Sequence, residues 1–228
     1  MSREDNPLLR DGLPAFPDIE PAHALPAIEA RLADYGALIE EIESGRAAAT
    51  PETLAREVRA DDALALTWST IGHLHGVANT PAWREAYAAC LEPVTAFYTA
   101  RGHNRAVFEC WKAVAERDDF GEQPPAFRRT VSEELVDFRQ SGVDLPPGPR
   151  DRFAEISMRL SRLGNEFGVH VLDATEGWWE DFADAGALAG LPSSELDTLA
   201  AKAAAAGVAG WRAEIGRASC RERVYTKV

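Results

Sequence analysis

The sequence predicts a mostly all-α protein: an antiparallel, bundle-like set of helices with one short extended segment near the C-terminus. Three observations carry this. Apolar residues recur at spacings of three and four through most of the chain, which is the period of a helix face and not of a strand. Thr50-Pro51 and Thr80-Pro81 are both helix starts, a hydroxyl N-cap followed by a residue that has no N–H to satisfy. The breaks between periodic stretches are short, so successive helices must return antiparallel. No repeat at a fixed period is visible, which leaves a solenoid unsupported.

Taken in order, residues 1–20 are Pro-rich, and PAFPDIEP predicts an extended arm, because proline fixes φ and bars the preceding residue from helix. A helical domain is expected over 21–175. Its first helix opens at Pro21, carries Ile28, Leu32, Tyr35, Leu38 and Ile39 on one face, and ends at Ser44-Gly45. The Thr50 helix carries Leu54, Val58, Leu64, Trp68, Ile71, Leu74 and Val77 and closes at Asn79. The Thr80 helix carries Trp83, Tyr87, Leu91, Val94 and Tyr98, with a kink expected at Pro93 and a stop at Arg101-Gly102. A shorter helix follows over 104–117 with Val107, Phe108, Trp111 and Val114. The next, over 126–140, carries Phe127, Val131, Leu135 and Phe138, and Gly142 suits its C-terminal turn.

From Pro149 to about Leu172 runs a longer helix. Phe153, Ile156, Leu160, Leu163, Phe167 and Val171 form one stripe along it. A stripe that long is expected to be covered by other helices. After Asp173 the texture changes. ATEGWWEDFAD predicts an extended piece over 177–182, and Pro192 starts a helix that Gly207 ends. GWRA at Gly210–Ala213 resembles the start of a strand whose partners are expected to be missing. Residues 176–213 are therefore expected to begin a second, truncated α+β segment.

The last stretch, 214–228, differs from all that precedes it. It holds Arg217, Arg221, Arg223 and Lys227 against Glu214 and Glu222, a balance of +2 in a chain of net charge −13. EIGRASCRERV resembles the translation of a short-read sequencing adapter, so the stretch is expected to be non-native, with native sequence ending at about Ala213.

Composition narrows the function. Hydrophobic content of 46% is enough for a core. The negative net charge disfavours nucleic acid and anionic lipid as partners. Cys90, Cys110 and Cys220 are too few and too scattered for a disulfide framework. No apolar run reaches the roughly 20 residues of a membrane span, and MSREDNPLLRDG has no apolar signal core. A cytoplasmic protein is expected, with neither nucleic acid nor membrane among its partners.

Catalytic machinery is not visible. None of the histidines, His23, His73, His75, His103 and His170, begins an H-E-x-x-H zinc motif. His73 and His75 lie two apart and point to different sides of a helix. Glu166 and His170 are one turn apart, but a di-iron bundle needs Glu-x-x-His twice with two further carboxylates. A surface pair near a helix C-terminus is the reading for these two, and a metal carrier built on them is disfavoured. Cys90 and Cys110 are expected to be small buried residues. Glu40-Glu41 and Glu133-Glu134 are expected to be solvated. Trp178-Trp179 suits a ligand platform, although one member buried and the other capping a loop is the commoner outcome. No catalytic, cofactor-binding or metal residue is assigned.

Four stretches, taken together, resemble the N-terminal region of the oligopeptidase A group of thimet oligopeptidase-like zinc metallopeptidases. They are NPLL…LPAFPDIEPAHALPAIE at Asn6–Glu29, HLHGVANTPAWREAY at His73–Tyr87, RFAEISMRLSRLGNEFGVHVLDAT at Arg152–Thr175 and LAGLPSSELDTLAAKA at Leu188–Ala203. The resemblance implies one helical half of a two-part enzyme that cleaves short peptides in the cytoplasm around a deep channel. It implies one zinc for the full-length enzyme, held by H-E-x-x-H and a further Glu in a C-terminal half. None of those residues maps here. The chain is therefore expected to supply channel wall, to lack its catalytic half and any cofactor of its own, and to be inactive alone. The alternative is a stand-alone helical module that binds peptide or protein without catalysis.

Overall fold

The structure, a computed structural model, describes residues 3, 5–10 and 12–215. The stretch expected to be non-native lies, from Gly216 on, outside the described residues. The chain divides into two compact units, Met1–Leu163 and Gly164–Val228. All seven α-helices of the described residues were foreseen within a few residues, and the class is mostly α.

In the first unit, short 3-10 turns at Pro7–Leu9, Phe16–Asp18 and Pro21–His23 lead into α1 (Ala24–Glu43). The N-terminal stretch is held by its own polar groups. Asn6 accepts from Leu8 N–H at 3.0 Å and donates to the His23 carbonyl at 2.9 Å, while Leu8 and Ile19 are buried. Four further helices follow: α2 (Pro51–Ala78), α3 (Pro81–Gly102), α4 (Arg105–Ala115) and α5 (Pro125–Gln140). Thr50 and Thr80 cap α2 and α3 through their hydroxyls, and Asn104 caps α4 with its amide oxygen. Asn79 ends α2 in the left-handed region at φ 43°. Helix α3 runs on through Pro93 as one element.

Helix α1 is the centre of this unit and packs on α2, α3 and α4, with α5 against α4. Ile28, Tyr35, Leu38 and Ile39 of its foreseen face are buried. So are all four foreseen residues of α4, namely Val107, Phe108, Trp111 and Val114. The joint between α3 and α5 is tight: a Cβ on Gly102 would lie 2.7 Å from Ser141 Cβ. Only glycine lets the two helix ends approach so closely.

Helix α6 (Pro147–Glu176) begins in the first unit and ends in the second. Its apolar stripe is not covered, contrary to expectation. Ile156, Leu160, Leu163, Phe167 and Val171 are all exposed, and no residue of α6 is fully buried. The half-buried side of its first part holds Ala154, Ser157 and Ser161. Periodicity finds an apolar face but does not choose which face a neighbour takes.

The second unit holds β1 (Trp179–Phe182), a 3-10 turn at Ala185–Leu188, α7 (Ser193–Ala205) and β2 (Trp211–Glu214). The strands pair antiparallel with Phe182 opposite Trp211. Contrary to expectation, the strand foreseen at Gly210–Ala213 is not without a partner, because the extended piece after Gly177 returns beside it as β1. Gly210 has φ +97°, and a Cβ there would run into the Phe182 carbonyl. Helix α7 covers β2 around Leu188, Leu199 and Ala213.

Candidate functional site

The largest concentration of perturbed ionisable groups lies inside the first unit, where four helices meet. Arg101 enters from α3, Glu57 from α2, Tyr35 from α1 and Glu134 from α5. The side chains of Arg101 and Glu57 are only 13% and 1% exposed. The Arg101 guanidinium donates from Nε to the Tyr35 hydroxyl at 3.1 Å and to Glu57 Oε1 at 3.0 Å. Its Nη2 donates to Glu134 Oε2 at 2.7 Å. The Tyr35 hydroxyl donates to Glu57, and the guanidinium lies 4.4 Å from the centre of the Phe138 ring. Asp61 and Tyr98 hydrogen-bond beside this group.

Burial pushes the Glu57 carboxyl above its ordinary range, while Arg101 and the Tyr35 hydroxyl pull it back down. Burial also works against the charge on Arg101, but Glu57, Tyr35 and Glu134 outweigh it and hold the guanidinium above its usual value. Tyr35 and Tyr98 are raised, chiefly by burial, and stay as neutral donors. Perturbed groups often mark active sites, but structural ion networks perturb them as well. Here one guanidinium answers both Glu57 and Glu134, and Tyr35 and Tyr98 donate to Glu57 and Asp61. This arrangement clamps four helices.

Periodicity had missed this group. Spacing alone places Tyr35 on an apolar face, Arg101 at a helix stop and Glu134 among solvated carboxylates. Glu57 carried a signal, because it lies one turn beyond Leu54 and two turns before Leu64 on the buried side of α2. A carboxylate inside an apolar stripe requires a buried partner.

The structure does not bring the histidines together. His23 Nδ1 accepts from Glu20 N–H at 2.9 Å in a helix cap. His73 is exposed, with Phe16 against its ring. His75 is buried and stacks on Tyr87, which stacks on Trp68, with centroids 4.4 and 4.5 Å apart. His103 sits edge-on to Phe153. Glu166 and His170 are both exposed on α6. Among the described residues no group of three His, Cys, Asp or Glu is placed to hold a metal ion.

Cys90 and Cys110 are buried, and burial pushes the Cys90 thiol up to about 11. A thiol so raised is a poor nucleophile at neutral pH. Of the adjacent carboxylates, Glu133 is exposed and pairs with Arg129, whereas Glu134 turns inward to Arg101. Trp178 and Trp179 are both exposed, so neither is the buried member expected of the pair. Arg212 lies over the Trp179 ring at 5.1 Å and is held there by a two-pronged pair with Asp181. A groove along α6 is lined by Asp151, Ala154, Glu155, Met158, Arg159 and Arg162. Its two acids and two arginines cancel, so it favours neither sign of ligand.

Comparison with known proteins decides what the geometry leaves open. Residues 28–150 match the N-terminal domain of the neurolysin/thimet oligopeptidase family. The chain belongs to this family. Oligopeptidase A of Salmonella typhimurium is 37% identical over 202 residues, which is 88% of this chain and 30% of the relative. Oligopeptidase A of Escherichia coli is 35% identical over 208 residues, covering 90% and 31%. A probable cytosolic oligopeptidase A of Arabidopsis thaliana is 29% identical over 212 residues, covering 91% and 30%. The chain thus spans about a third of the length of these relatives. The family domain ends close to the start of α6, and among the described residues no helix is long and apolar enough to cross a membrane.

Proposed function

We propose that this chain forms the N-terminal, channel-wall part of an oligopeptidase A-like zinc metallopeptidase acting on short peptides in the cytoplasm, and that it does not hydrolyse peptides by itself. The observation that carries the reading is the match of residues 28–150 to the family's N-terminal domain in a chain with no H-E-x-x-H. That motif places two zinc ligands and a general base on one helix turn, and its absence removes the means of activating water. The helices of the first unit, clamped at Arg101, suit a rigid wall. Such a wall selects substrate by excluding what is too bulky to pass, without bonding to the scissile peptide.

The test uses the purified chain, zinc and a quenched fluorescent peptide of about ten residues. No cleavage above the zinc-only blank is expected. Zinc-dependent cleavage that a chelator abolishes overturns the proposal. A second arm replaces the matching segment of the Salmonella relative with residues 6–213 of this chain. Recovery of peptidase activity in that chimera is the outcome expected of a family channel wall.

A further inference from the structure

We propose that the exposed apolar stripe of α6 is a docking face for the part of an oligopeptidase A-like polypeptide beyond the segment matched here; this rests on the functional reading above. Ile156, Leu160 and Leu163, all in the first unit, are 43%, 63% and 48% exposed. Phe153, at the start of the stripe, is half-buried with its ring edge-on to His103.

The rotation of α6 is fixed by specific contacts. Thr95 of α3 donates to Ser161 at 3.0 Å, and Arg162 pairs with Glu92 at 3.4 Å. The side of α6 that meets α3 is thus small and polar, while the aliphatic side faces out. An amphipathic helix that serves only its own unit is oriented the other way. From Phe153 to Leu163 the spacing is 3, 4, 3, the seam that accepts another helix knobs-into-holes. A contiguous exposed apolar surface marks a site of interaction.

The occupant follows from length and charge. The bacterial relatives carry about twice as much chain again as the part this one matches, since the match covers only 30% of the Salmonella relative. That remaining chain is present at one copy per stripe and is tethered close by. A second copy is a poorer occupant, because each brings a net charge of −13 to the encounter. The docking segment is therefore an amphipathic helix of the same polypeptide, with aliphatic side chains set into the α6 seam.

Thiol labelling tests this. Cys90 and Cys110 are buried, so Leu160→Cys is made in a Cys220→Ser background and treated with a maleimide. Labelling is expected to be fast in the 228-residue chain and slowed about tenfold or more in the Salmonella chimera, as for a thiol that becomes buried. Asp118→Cys, in an exposed loop, reports that the chimera is otherwise accessible. Equal labelling of Leu160→Cys in both proteins, with a chimera that cleaves peptide, overturns the docking face and leaves the functional reading standing. Slowed labelling in a chimera without peptidase activity supports the face and counts against the functional reading. Protection in the chain alone that grows with protein concentration assigns the stripe to a second copy and overturns the proposal. If the chimera does not fold, Leu160→Asp/Leu163→Asp in the 228-residue chain decides. An unchanged melting temperature with weaker hydrophobic-dye binding supports an open face, and a clear fall in melting temperature overturns it.

Discussion

Arg101 shows how one residue ties the first unit together. It bonds to side chains from α1, α2 and α5, and its guanidinium also stacks on Phe138. Removing one partner of a buried ion pair leaves the other charge unanswered, which typically costs about 3–5 kcal/mol. Arg101→Met is expected to lose stability of that order in urea denaturation at neutral pH. The pH dependence of the loss has a definite sign. Burial raises the folded-state affinity of Glu57 for a proton above its ordinary 4.5, and losing Arg101 raises it further. A raised carboxyl favours folding at low pH and opposes it once the pH passes the folded value. The deficit of Arg101→Met should therefore narrow as the pH is lowered from 7.5 towards 5.

His75 and His103 act in the opposite sense. Burial holds both below the ordinary 6.5, with nearby arginines adding to the effect. Their contribution is fully present above the unfolded value and is lost as the pH falls below it. Between pH 7 and 5.5 the melting temperature of the native chain should therefore change less favourably than that of a His75→Gln/His103→Gln variant, the raised Glu57 carboxyl being common to both.

At the scale of elements, the helices were legible because their signals are local. Thr50, Thr80 and Asn104 stand directly before the first turns that they cap. Val131 and Phe138 of α5 are buried where spacing put them. How elements meet was less legible. Gly102 was read as part of a helix stop, but its larger role is the joint with α5. A methyl group there collides with Ser141, and overpacking a fixed joint costs about 1–3 kcal/mol. Gly102→Ala should lose stability in that range, and adding Ser141→Gly should recover much of it; a double-mutant cycle by chemical denaturation measures the coupling.

The whole molecule has two units of unequal core. The first buries residues from α1 through α5 in one cluster. The second has three buried residues in its cluster, Leu188, Leu199 and Ala213, under a two-stranded sheet. Two strands with so small a core are marginal by themselves. Hydrogen exchange should therefore be fast across β1, α7 and β2 and slow in α1, α2 and α4. Equal protection in both units would contradict this account.

The sequence by itself determined the helical class, the caps, most core faces and the family, because each is written in residues near one another along the chain. The tertiary structure alone decided three further matters. It showed that Glu57 meets Arg101 across 44 residues, that Gly102 meets Ser141, and that α6 keeps its polar side inward and its aliphatic side out. Each depends on which face a neighbour occupies. Periodicity is a property of one helix, whereas burial is a property of two.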